Sequence, residues 1–176
     1  MTKKEIDKCK AIITKLHNAA SWLEAFVEVY DDIDQAEQLK QQFSPNSNQI
    51  LTIKTALASQ ILIRSLAISE GSGRRNKSKI FRKDDQNFGV LQSLLKDKKV
   101  NNYFCEAVIN KTLAKVTLRN FKKFNNPKIL ARLRNKQIAH ITSKNFLKGR
   151  GKKIYQHSEE VRYQVDQLYR LAIKRK

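Results

Sequence analysis

The sequence predicts an all-α domain, a compact up-and-down helical bundle of five or six helices formed by residues 1–176 as one unit. Three observations carry that prediction. Apolar residues recur at three- and four-residue spacing over long stretches, which is the period of a helix face. The chain has five glycines and two prolines, few for a sheet protein that needs many turns. Its 176 residues have ordinary hydrophobic content, enough for one sizeable core and unlike a disordered chain.

The first helix is expected over about residues 3–30, where Ile6, Ile13, Leu16, Leu23, Phe26, Val27 and Tyr30 fall near a 3.6-residue period. DDIDQAEQLKQQF continues it after a kink near Asp31. SPNSN (44–48) is a break, because proline and small polar residues favour turns. A second helix over about 49–69 is apolar nearly all round and is expected in the middle of the bundle. Lys54 and Arg64 interrupt it, so it reads as a core helix and not a membrane span. GSGRRNKSKIFRKDD (71–85) is a loop with six basic residues, among them Arg74 and Arg75. A short helix around 86–96 precedes a longer one over about 100–123.

In that longer helix Phe104, Val108, Ile109, Leu113 and Val116 form much of the apolar side. Lys111, Lys115, Arg119 and Lys122 share another face. Asn126 and Pro127 read as the next helix start, an amide to cap free N–H groups and a proline suited to the first position. SKNFLKGRGKKIYQH (143–157) reads as a second basic loop, with Lys144, Lys152 and Lys153. Its GRGK lacks the spacing and the preceding strand of a phosphate-cradling P-loop. Ser158 is expected to cap the last helix, with Glu159 and Glu160 in its first turn and Lys174, Arg175 and Lys176 at its end. That order suits the helix dipole at both ends.

Charge is the strongest compositional signal. Thirty-six basic and sixteen acidic residues give a formal net charge of +20. The imbalance is uneven: residues 1–50 are nearly balanced, with Asp31, Asp32, Asp34 and Glu37 clustered. From Ala107 through Ser158 there is no acidic residue, while lysine and arginine occur fourteen times. A region of one sign attracts a polyanion and binds it in a salt-dependent way. Cys9 and Cys105 have no CxxC spacing and read as small buried hydrophobes of a reducing compartment. MTKKEIDKCK leads into no apolar run like that of a secretory signal; a cytoplasmic location without membrane attachment is expected.

His17, His140 and His157 are far apart, and none has a neighbouring ligand at helical spacing, so neither a metal nor another cofactor is expected. His17 reads as an ordinary helix residue and His157 as exposed before a cap. The acids at 31–37 read as a solvated helix segment. What stands out is ARLRNKQIAHIT (131–142), where Arg134, Asn135 and His140 lie among Leu130, Leu133, Ile138 and Ile141. On an ideal helix Arg134 and His140 are separated by a rise of about 9 Å and a turn of about 120°, each bordering the apolar sector. At that spacing two readings stay open. One is a core histidine with a packed arginine stem; the other is a site.

LRNKQIAH resembles the signature of the HEPN superfamily, an arginine, a polar residue and, after four more positions, a histidine. The flanks Leu133 and IAH look most like its abortive-infection branch. The likeness covers about ten residues of recognisable sequence, and the whole chain in architecture. It implies a metal-independent endoribonuclease, a toxin or anti-phage effector, with two protomers of a homodimer facing one cleft and an antitoxin or other defence-system subunit as further partner. In that scheme Arg134, Asn135 and His140 are catalytic, and Lys136 joins the other basic residues in holding RNA. In the toxin group paired with a nucleotidyltransferase antitoxin, a modified tyrosine follows the histidine after one residue. This chain has Thr142 there, so that regulation is not expected. Other readings are a non-catalytic nucleic-acid-binding or scaffold subunit of a defence complex, and a basic structural protein with an accidental motif.

Overall fold

The computed structural model describes residues 2–39, 47–70, 86–106, 110–130, 132 and 151–173. These hold helices α1 (Thr2–Leu39), α2 (Ser47–Ile68), α3 (Phe88–Leu94), α4 (Lys98–Glu106) and α5 (Lys111–Lys123), a helical turn α6 at 128–130, and α7 (Gly151–Ile173). Among the described residues the fold is all-helical, with seven helical segments where five or six were expected. Residues 71–85, expected as a loop, and most of 131–150, including Arg74, Arg75, Arg134, Asn135, Lys136, His140, Thr142 and Lys144, lie outside the described residues.

The long helix α1 is the spine. It runs through Asp31 as one helix to Leu39, taking in most of the continuation expected after residue 30. Cys9, Ile13, Leu16, Leu23 and Val27 bury one stripe at helical spacing. Both α2 and α7 lie antiparallel to it. Along α2, the Lys54 ammonium pairs with Asp34 and sits 5.6 Å from the Tyr30 ring centre, while the Arg64 guanidinium lies 4.8 Å from that of Phe26. The two charges that interrupt the apolar helix are therefore what it uses to grip α1. Along α7, Tyr155 donates to Asp31 at 3.3 Å, Arg162 pairs with Glu24, and Tyr169 stacks on His17 at 3.6 Å.

Although α2 was expected at the centre, Ile53, Ala56, Gln60, Arg64 and Ala67 form an exposed stripe. Its core face carries Ala58, Ile61, Leu62 and Leu66. Small and β-branched residues on the outer stripe made it look apolar all round.

The helix expected over 100–123 is two. Asn110 starts α5, its Oδ1 accepting from the Leu113 N–H at 2.9 Å, a cap that competes with helix continuation. The break changes the phase of the helix that follows. Ala114, Thr117, Leu118 and Phe121 face the core, and Leu113 and Val116, expected inside, are 55% and 47% exposed. Phe88, at the start of α3, meets Phe121 and Phe124 edge-on at 5.0 and 5.3 Å. Asn87 caps α3 by accepting from Val90 N–H at 3.1 Å.

The last helix starts seven residues earlier than expected. Lys152 and Lys153 are exposed on its first turn and not on a loop. Ser158 is internal, donating to the Tyr155 carbonyl at 2.7 Å, so Glu159 and Glu160 are mid-helix residues. His157, expected in solvent, is 3% exposed.

Candidate nucleic-acid interface

The basic face foreseen on α5 is present in part. Lys111, Lys115 and Arg119 are all exposed on one side of the helix, spaced so that they can follow successive phosphates. Lys122 departs from the group. It is half-buried, and desolvation pulls its ammonium below the usual lysine range. Packing against α4 near Cys105 thus takes it out of the exposed basic row. Because α5 packs on α7, it belongs to the same helical assembly as Lys152 and Lys153.

The charge pattern has an opposite pole. Residues 16–39 contain no lysine or arginine, and include Glu24, Glu28, Asp31, Asp32, Asp34 and Glu37. Between this half of α1 and α7 lies a cleft of about 320 Å³ lined by His17, Ser21, Glu24, Glu159, Arg162, Tyr163 and Asp166. Its arginine is committed to Glu24 and, at 2.6 Å, to Glu159; Asp166 pairs with Arg170 at 2.8 Å. With three carboxylates held by the two guanidinium groups of Arg162 and Arg170, this cleft offers an anion no uncommitted cation among its described residues.

A buried polar cluster that sequence reasoning missed joins α2, the connector after α5, and α7. The Asn126 amide Nδ2 donates to the Ser69 carbonyl at 2.7 Å, and the Ser69 hydroxyl lies 3.4 Å from His157 Nε2. Asn126 was expected to cap a helix with its oxygen. Its amide ties down the end of α2 instead, and Leu130 N–H bonds to the Pro127 carbonyl at 3.0 Å. Burial alone lowers the His157 pKa to about 4, keeping the ring neutral at pH 7.

The Ser69–His157 contact is no hydrolase pair. Ser69 is 0% exposed, and its hydroxyl donates to the Ser65 carbonyl at 2.6 Å, leaving neither access nor a proton aimed at the ring. Burial also pushes both thiols up, Cys9 to about 12, so neither suits a nucleophile. Among the described residues no group of three or more His, Cys, Asp or Glu could hold a metal ion, and no helix is long and apolar enough to cross a membrane.

Compared with known proteins, the chain matches no family model, no curated protein and no solved structure.

Proposed function

We propose that this chain is a metal-independent endoribonuclease, a toxin or anti-phage effector whose site is built from Arg134, Asn135 and His140. The observation that carries the reading is the Arg-Asn-x4-His spacing in RNKQIAH, within an acid-free region of a helical chain. The exposed Lys111, Lys115 and Arg119 of α5 support it as a track for phosphates, whereas the α1–α7 cleft offers an anion no uncommitted cation among its described residues.

The residue types suit the reaction. RNA carries its own nucleophile, the 2′-hydroxyl beside the scissile phosphate. His140 titrates in the useful range and removes or delivers the proton. Arg134 stays cationic and offers forked donors to the phosphorane oxygens. Asn135 orients the histidine or the ribose. The products are a 2′,3′-cyclic phosphate and a 5′-hydroxyl. On the helix expected there from the sequence, side chains would lean toward the N-terminus, and Arg134 would point away from a histidine nearly two turns later. Two protomers about a twofold axis would supply two histidines, as acid and base, around one phosphate. A monomer with full activity would refute that shared site.

The test is growth arrest on expression in a bacterial host, followed by RNA integrity. Wild type should arrest growth and degrade RNA, and His140→Ala should do neither. Arrest by both proteins with intact RNA would instead favour the second reading, a binding subunit. The basic face of α5 suits that reading equally well, since it needs no chemistry.

A further inference from the structure

The connector between α5 and α6, residues 124–127, is held from three sides. From α3, Gln92 donates to the Phe121 and Phe124 carbonyls at 2.7 and 3.1 Å. From α2, the Ser69 carbonyl accepts from Asn126. From α7, the His157 ring stacks on Phe124 with centroids 6.0 Å apart and planes at 26°. These ties fix the direction in which the connector enters the helical turn at 128–130.

The hydrogen bonding also fixes the state of the ring. Ser69 Oγ gives its proton to Ser65, so toward His157 it can only accept, from Nε2–H. That leaves the ring's lone pair on Nδ1. Nδ1 is buried without a partner among the described residues, and so is Asn126 Oδ1. Nδ1 thus has no acceptor in reach among the described residues, and a proton added there leaves a cationic ring with little to offset its desolvation.

We propose that Ser69, Asn126 and His157 form a proton-sensitive latch: a neutral His157 keeps the connector pinned, and a protonated His157 releases it while the long helices stay packed. The other two partners are better anchored. In α7 the buried Val161, Val165 and Leu168 follow His157, and the end of α2 accepts from Gly89 N–H through Glu70 at 2.9 Å. Beyond Phe124, the described side-chain bonding of the connector is the single Asn126 tether, with Asn125 and Lys128 already in solvent. Gln92 confines the release to residues after Phe124.

Among the described residues no charged group contributes to the shift of the ring, whose one cause is burial. Glu70 just after α2, Lys123 and Lys128 beside the connector, and Lys153 and Glu160 a turn away on α7 are all exposed. The α1 carboxylates that reach α7, Glu24 and Asp31, are engaged by Arg162 and Tyr155.

Nuclear magnetic resonance from pH 7.5 to pH 4 tests the latch without reference to any activity. The His157 ring, the Asn126 side-chain amide and the Leu130 amide should titrate with one midpoint below 6.5, while the helical circular-dichroism signal at 222 nm is retained. His157→Gln should abolish the Asn126 and Leu130 transitions. Asn126→Ala keeps the histidine and should open the connector already at pH 7.5, raising Leu130 amide exchange roughly five- to tenfold, the worth of about one hydrogen bond. Connector signals that ignore the ring, a transition that coincides with loss of helix, or an unchanged Leu130 in Asn126→Ala would each overturn the proposal.

Discussion

Lowering the pH should cost this protein stability chiefly through one ring. His157 is 3% exposed, and desolvation alone lowers its pKa from 6.5 to about 4. A histidine depressed in the folded state binds its proton more readily when unfolded, so acid favours unfolding. The contribution is fully present above pH 6.5 and falls as the pH drops from 6.5 to about 4. It is constant below that. Over those 2.5 units, at about 1.36 kcal/mol per unit, a ring protonated in place costs about 3 kcal/mol. If the latch opens first, the loss is smaller by what the opening saves. The assay is urea unfolding at half-unit steps from pH 7.5 to pH 4 for wild type and His157→Leu. Subtracting the two curves removes every titration the proteins share. The difference should be flat above 6.5 and change by up to about 3 kcal/mol below it. Parallel curves through that window would refute the burial argument.

Two further perturbations probe the structure. Gln92→Leu leaves the Phe124 carbonyl without that donor, while the Phe121 carbonyl keeps the Phe124 N–H at 3.1 Å. Two bonds lost and one buried acceptor stranded should cost about 2–4 kcal/mol in chemical denaturation with an unchanged m-value, and a neutral change would count against the pinned connector. Replacing Lys111, Lys115 and Arg119 together by glutamine should flatten the salt dependence of single-stranded RNA affinity by about 2 log units per log of salt, three contacts at about 0.7 each. Lys122→Gln, half-buried beside α4, should change that slope little. Equal effects would mean that the interface lies elsewhere.

The sequence made much of this architecture legible, and the failures have physical causes. Period-3.6 patterning located α1 and α2 because each buries a stripe at helical spacing, and the short α3 was found although Phe88 through Gln92 are all buried. It missed the new helix start at Asn110, since apolar residues run up to it in the sequence and only the cap there marks it. It placed the start of α7 too late because Gly149, Gly151 and the lysines between 144 and 153 resemble a loop. The apolar period does reach back to Ile154 once His157 is counted as a buried residue, a role its polarity hides. In the candidate interface, Lys111, Lys115 and Arg119 were readable from spacing on one helix. Lys122 was not, because its burial depends on α4, which the sequence had merged with α5. The Ser69–Asn126–His157 cluster could not be read at all, since its members lie 57 and 88 positions from Ser69 along the chain.

The proposed chemistry leaves a signature in its products. Wild-type protein incubated with a mixed RNA pool in EDTA should yield fragments ending in 2′,3′-cyclic phosphate and beginning with 5′-hydroxyl. His140→Ala and Arg134→Ala should yield none while still binding RNA. Intact RNA that wild type holds tightly, or cleavage that survives both substitutions, would contradict the assignment.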